Sequence, residues 1–360
     1  MFEKELINYF KEYTSIDNLN PKAIQFLEKY GYTSPDREWV IMEKIHGANF
    51  SFVTNGSAVM AAKRSGIISQ HEHFFGYKTV YDKYEQDIIQ LYHLLKEKNP
   101  HLSAIQVYGE LFGGYYPEQK STGPAVQKGV YYHPSVEFLV FDIKIYPGIK
   151  PSQPLFLSQT EINELLSNLS HLRAIPVMAS GSFEVLAGTN PQFQTTVPTI
   201  FGLAPVPNNF AEGLVLKINE NCPCYCTRPI IKIKNSKFSE TKVKHIPKPI
   251  VDTKLINYFL EKSLCYCTET RFHNVISKVG PSERLEKIQG IFVADVLKDL
   301  EKDLNENDID DFRKNLKRIK NVLIGYLIQE KLIVTWINQY NQPIDNINAE
   351  TSVDAFMRPM

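Results

Sequence analysis

The chain has 360 residues, 43% of them hydrophobic, enough to bury a large core and to divide into two domains. Lys and Arg number 40, as do Asp and Glu, so no global field marks a nucleic-acid binder, and any such surface must be local. The opening Met-Phe-Glu-Lys-Glu has no apolar core and no stretch is apolar over a membrane's thickness, so neither signal peptide nor membrane partner is expected, and the expected setting is intracellular and reducing.

In chain order, residues 1–38 mix short helical signals with a turn at Thr33-Ser34-Pro35-Asp36. A β-meander follows: Trp39–Ile45, Asn49–Val53, a turn at Asn55-Gly56, and Ala58–Lys63. A helix is expected over Tyr77–Lys98, stopped by Asn99-Pro100. Strands at Ala104–Glu110 and Glu137–Ile145 flank a Gly- and Pro-rich stretch, Gly113 to His133, of the kind that forms substrate-side loops. Residues 147–210 signal less: a helix from Ser158, with Ser158 and Glu161 spaced as a capping box, then Pro-rich connections. Strands return at Glu212–Ile218 and Ile230–Lys234.

After Pro247-Lys248-Pro249 the apolar period becomes helical, as in Leu255, Tyr258 and Phe259 and again in Ile288, Phe292, Val293, Val296 and Leu297. The expected organisation is an α+β domain over 1–246, a small all-α domain over 250–340 and a loose tail over 341–360. From Arg228 to Lys248 the cations Arg228, Lys232, Lys234, Lys237, Lys242, Lys244 and Lys248 face only Glu240, a stretch able to line a polyanion channel or to form a solvated linker. Cysteines fall in two tight groups, Cys222/Cys224/Cys226 and Cys265/Cys267; their spacing and odd number favour free thiols over a zinc site or a disulfide framework.

Chemistry concentrates around Lys44, in Glu43-Lys44-Ile45-His46-Gly47-Ala48-Asn49-Phe50 at the end of an apolar strand. An amine attacks phosphorus only as the free base, a form that desolvation and neighbouring cations favour. Lys63 and Arg64 end a neighbouring strand, and Lys232 and Lys234 share one face of another, so cations around Lys44 could also neutralise a triphosphate. Glu110 and Glu212 stand beside glycines at strand edges, where a carboxylate needs a salt bridge, a hydrogen bond or a metal. Phe141, before Asp142, is either core or a stacking platform for a purine.

These segments, with Lys63-Arg64-Ser65-Gly66, Tyr108-Gly109-Glu110-Leu111-Phe112-Gly113, Phe138 to Asp142, Glu212-Gly213-Leu214-Val215-Leu216-Lys217 and Ile231-Lys232-Ile233-Lys234, resemble the RNA ligase 2 family of phage enzymes and kinetoplastid RNA-editing ligases. His46, where DNA ligases and capping enzymes carry aspartate, is a mark of that family, and Phe10-Lys11-Glu12-Tyr13 and Asn274 to Gly280 extend the likeness to both ends. The resemblance implies an N-terminal nucleotidyltransferase domain of antiparallel sheets with flanking helices, followed by a helical C-terminal domain. It implies a monomeric ATP-dependent RNA ligase that uses Mg²⁺ or Mn²⁺ to seal 3′-hydroxyl and 5′-phosphate ends, at nicks in duplex RNA, through lysyl-AMP and RNA-adenylate.

By the same resemblance Lys44 is the nucleophile. Adenine is read by the Glu43 and Ile45 backbone and stacked by Phe141. Glu110, Asn49 and Arg64 hold the ribose, Lys232 and Lys234 the phosphates, and Glu212 the metal. His46, Lys63 and Asp142 are assigned to later steps. One departure is Met42, where family members often carry arginine. The rival readings are a DNA ligase or capping-type nucleotidyltransferase, and a nucleic-acid-binding protein that keeps only the ligase scaffold.

Overall fold

The computed structural model describes residues 6–69, 71–121, 124–148, 153–223, 228–238, 254–281 and 283–341. The chain divides into two compact units, Met1–Ser239 with Ile276–Glu283, and Glu240–Val275 with Arg284–Met360. The boundary expected at 246–250 lies outside the described residues, as does the expected tail apart from Asn341, which ends a helix.

The strands are β1 (Asp17–Asn18), β2 (Trp39–Lys44), β3 (Ala48–Thr54), β4 (Val59–Lys63), β5 (Gly66–Ile67), β6 (Leu102–Tyr115), β7 (His133–Pro147), β8 (Leu155–Phe156), β9 (Val177–Gly181), β10 (Gly213–Ile218), β11 (Cys222–Pro223) and β12 (Ile230–Lys234). Among them lie the helices α1 (Pro21–Lys29), α2 (Tyr77–Lys98), α3 (Gln159–Leu166), α4 (Phe183–Ala187) and α5 (Val197–Ile200). The strands form a five-stranded sheet, β1-β12-β10-β2-β9, and a seven-stranded sheet, β11-β8-β7-β6-β3-β4-β5. Among the described strands, β1 pairs parallel with β12 and the other strand pairs are antiparallel.

Alternation along the central strands decides which face is core. Trp39, Ile41, Leu214, Leu216, Ile218 and Ile231 fall on one face and pack with Leu27 of α1 and with Phe183 and Leu186 of α4. Each such side chain, wholly removed from water, contributes about 1.5–3 kcal/mol. The alternate residues Met42, Lys44, Val215, Lys217, Lys232 and Lys234 face the other way. Met42 and Ile45 there meet Phe112, Tyr132 and Leu139 of the second sheet region. The far face of the seven-stranded sheet is covered by α2, whose Tyr77, Tyr81 and Tyr84 rings pack on Phe50, Phe52 and Phe138. A charged face therefore lies between two sheets.

Helix α2 keeps its expected bounds, and Ser158 caps α3 by accepting the Glu161 N–H at 3.2 Å. Within 147–210 the structure adds β9, an edge strand too exposed to show an apolar period. The later helices are α6 (Lys254–Leu264), α7 (Glu269–Val279), α8 (Leu285–Asp303), α9 (Glu306–Gln329) and α10 (Leu332–Asn341). In the second unit the fully buried Arg271 pairs with Asp295 and Asp299 of α8. No helix among the described residues is long and apolar enough to cross a membrane. Cys222, Cys265 and Cys267 are free thiols, and burial pushes Cys267 up to about 12; Cys224 and Cys226 lie outside the described residues.

Candidate active site

Three strands set the central row. Lys44 on β2 lies opposite Gly213 on β10, and Gly213 lies opposite Lys234 on β12. The next row on that face is Met42, Val215 and Lys232. The glycine keeps the row low. A Cβ on Gly213 would lie 2.1 Å from the Ile233 carbonyl oxygen, in backbone at φ +150° that side chains rarely adopt. Lysines two strands apart thus flank an open position.

Glu212 closes this row. Its Oε2 accepts from Lys44 Nζ at 2.7 Å and lies 3.3 Å from His46 Nδ1, while Oε1 is 3.3 Å from Lys234 Nζ. Burial alone raises this carboxyl, but Lys44, Lys234 and His46 together hold it well below the usual range. This corrects the expectation that the charge next to Lys44 is positive, because a carboxylate stands between the two lysines.

Glu110 lies on β6 opposite Asn49 of β3, so these two expected ribose contacts share one face. Burial pushes its carboxyl up to about 8, with Glu212 adding to the rise, against the pull of Lys44, the Gly47 N–H and Arg64. A Cβ on Gly47 would fall 2.2 Å from the Leu111 carbonyl oxygen, so only glycine lets the β2–β3 turn press onto β6. A titration follows. The ordinary value is 4.5, so the folded state binds this proton more tightly than the unfolded chain. The resulting stability is fully present below about 4.5 and is lost as pH rises through about 8. Glu110→Gln is expected to flatten the fall in unfolding midpoint across that window, and an unchanged slope in thermal melts would count against the buried carboxyl.

Phe141 and Asp142 reach the same face through a register shift. Tyr108 pairs with Asp142 and Gly109 with Val140, leaving Phe141 as the extra residue of a bulge. Both then meet Tyr13, whose hydroxyl donates to Asp142 at 2.9 Å and whose ring lies 4.9 Å from that of Phe141. Asp142 is fully buried, paired with Arg228 and 3.6 Å from Lys217 Nζ. Lys217 also donates to the Phe141 carbonyl at 3.0 Å, tying the bulge to β10. Arg228 is therefore corrected from a channel cation to a buried counter-ion of Asp142.

Glu43 is locked by its side chain. Its carboxylate accepts from the Thr195 hydroxyl, the Thr196 N–H at 2.8 Å and the Thr196 hydroxyl at 2.9 Å, just before α5. The β2–β9 ladder ends at Met42 and Val177, so the Glu43–Ile45 backbone extends past that pairing. The His46 N–H donates to the Tyr132 hydroxyl at 2.8 Å, and its ring meets Phe238 edge-on at 5.1 Å. Met42 is buried among apolar side chains, a setting in which an arginine would need a partner for its charge.

Lys63 and Arg64 are held away from the row. Lys63 pairs with Glu72, and Arg64 bonds Glu12 at 3.2 Å and Ser15 at 2.8 Å, though its charge still reaches Glu110. Sequence reasoning missed Tyr132, Thr195 and Thr196, which carry only hydroxyls and stand far from the motifs. It quoted Lys217 without a role, although alternation places Lys217 on one face of β10 with Gly213 and Val215, the face that register sets beside Lys44.

Residues 37–234, more than half the chain, match the RNA ligase family, and residues 252–325 match the T4 RNA ligase 2 C-terminal family. The mitochondrial RNA-editing ligase 2 of Trypanosoma brucei brucei is 30% identical over 355 residues, covering 82% of this chain and 83% of that protein. The chain belongs to the RNA ligase family. RNA-editing ligase 1 of the same organism is 31% identical over 68% of this chain, and the match spans 59% of that protein. In the family a likeness also extends to a solved Naegleria gruberi RNA ligase mutant with ATP and Mn, at 12% identity and a TM-score of 0.43, covering 64% of this chain and 57% of that one.

Proposed function

We propose that this chain is a monomeric, ATP-dependent ligase that joins 3′-hydroxyl and 5′-phosphate ends at nicks in duplex RNA. The observation that carries the reading is the row of Lys44, Gly213 and Lys234 closed by Glu212, in a chain of the RNA ligase family. Lys44 Nζ attacks the α-phosphorus of ATP, forming a P–N bond as the bond to pyrophosphate breaks. AMP then passes to the RNA 5′-phosphate, and the 3′-hydroxyl displaces it. The protein supplies orientation and fixed charge.

Adenine is placed against Phe141 and the Glu43–Ile45 backbone, and the ribose against Glu110, Asn49 and Arg64. Lys232 and Lys234 offset phosphate charge. His46 and Lys63 serve the later steps, and Asp142 acts on them through Phe141 and Arg228. The donor set fits magnesium or manganese: Glu212 offers a hard carboxylate oxygen beside the Lys44 row, and such an ion keeps water and phosphate oxygens as its other ligands. When bound it neutralises phosphate charge. No cluster of three or more His, Cys, Asp or Glu able to hold a metal occurs among the described residues, in keeping with so few protein ligands.

Nicked duplexes of RNA, RNA–DNA hybrid and DNA test the reading directly. Sealing of the RNA nick with ATP is expected; sealing confined to all-DNA nicks would favour the DNA ligase instead. RNA binding without pyrophosphate release would leave only a scaffold.

A further inference from the structure

The first unit has an open pocket away from the Lys44 row, about 320 Å³ in volume. It is lined by Lys83 and Tyr84 of α2, by Ser170, His171 and Arg173 after α3, and by Phe201 after α5. A nucleotide-sized ligand fits such a volume. Its carboxylate neighbours are turned into the fold. Glu137 accepts from Lys83 at 2.6 Å and from the Tyr84 hydroxyl at 2.7 Å, and Asp87 accepts the N–H groups of His171 and Leu172, each at 2.6 Å. Lys83 is balanced by Glu137 and, with Asp87 counted, the walls are neutral overall, so the charge offered to a ligand is the exposed Arg173 guanidinium. Phe201, next to the Ile200 carbonyl that Arg173 bonds, adds a half-buried ring to the lining, braced by His133 at 4.9 Å and Phe112 at 6.1 Å.

The pocket walls are fastened to the catalytic strands. The Arg173 carbonyl accepts the N–H of Val140, the residue before Phe141, at 2.9 Å. Thr195 and Thr196, which precede α5 and Phe201, hold Glu43 beside Lys44. Arg173 Nη1 donates to the Ile200 carbonyl at 3.1 Å, joining the two walls. A strand held here is held in register with the candidate site.

Cations beside an aromatic face are what an unpaired nucleotide needs: guanidinium and ammonium groups for its phosphate, a ring for its base. We propose that this pocket binds one unpaired nucleotide of the RNA substrate, with its phosphate on Arg173 and Lys83 and its base against Phe201. The inference rests on the reading of the chain as an RNA ligase.

The test uses the full chain and a labelled nicked RNA duplex, with and without a single-stranded extension, followed by fluorescence anisotropy over a salt series. Arg173→Glu is expected to weaken binding of the extended duplex about tenfold and to reduce the salt slope by about one. Phe201→Leu, which keeps an apolar side chain, is expected to weaken it about fivefold or more through lost stacking. Blunt duplex binding should change less, and AMP transfer to Lys44 should stay at the unsubstituted level in both variants. Unchanged affinity for the extended duplex, or an equal loss for both duplexes, overturns the pocket. Should Phe201→Leu fail to fold, Arg173→Glu still decides, because its side chain lies at the surface. Failure of the unsubstituted chain to take up AMP would strike the proposed function instead, while the anisotropy comparison would still report on the pocket.

Discussion

Incubated with labelled ATP and Mg²⁺, Lys44→Ala is expected to take up no AMP, a loss on the order of 10⁴-fold or more against the unsubstituted chain. The substitution should not unfold the protein. Glu212 keeps Lys234 at 3.3 Å and His46 at 3.3 Å, so its buried carboxylate retains two partners when Lys44 is removed. Lys44→Arg is expected to be as inactive, because a guanidinium stays protonated and cannot form the P–N bond. Peptide mapping by mass spectrometry should place the adenylyl group on Lys44, and labelled GTP should give no adduct. An adduct that persists in Lys44→Ala would remove the nucleophile on which the mechanism depends. Uptake of GMP in place of AMP would favour the capping-type rival.

The row that makes this prediction was legible in large part. Two-residue alternation places Lys232 and Lys234 on one face, and the same alternation places Met42 with Lys44 and Val215 with Lys217. What alternation cannot give is register between strands. Lys44 faces Gly213 only because β2 and β10 pair at that offset, and the offset follows from burying Trp39, Ile41, Leu214 and Leu216 on the opposite face. Charge was misread for a related reason. A sequence shows how many lysines are nearby but not that Glu212 lies between two of them.

The bulge at Phe141 marks another limit. Strict alternation would give Phe141 and Asp142 opposite faces, and nothing in Phe-Leu-Val-Phe-Asp announces an extra residue. It is fixed by partners distant in sequence, Tyr13, Lys217 and Arg228, which converge on the bulge and its aspartate. The Glu43 lock is similar: Thr195 and Thr196 sit in a stretch whose short helices and exposed edge strand carry no strong period. Tertiary partners, more than local propensity, place these residues.

Asp142→Ala is expected to lower the stability of the folded chain by about 3–5 kcal/mol, the range for breaking a buried ion pair from one side. Asp142 has no exposed surface and Arg228 is almost as deeply buried, so water cannot replace the lost carboxylate. The second cation is less of a burden. Burial has already pushed Lys217 down to about 8, and without Asp142 it can give up its proton, whereas Arg228 cannot. Arg228 therefore carries most of the uncompensated charge. Replacing both partners with apolar side chains, Asp142→Leu with Arg228→Met, should recover much of the loss. Urea or thermal unfolding of the three proteins measures this, and a single variant within about 1 kcal/mol of the unsubstituted chain would contradict the buried pair. The double variant also separates two roles for Asp142. If the aspartate only positions Phe141 and the bulge, the refolded double variant forms the Lys44 adduct with a raised KM for ATP and a largely retained rate at saturation. If the adduct forms normally but transfer of AMP to the RNA 5′-phosphate is lost, Asp142 serves the later steps, as the family resemblance implies.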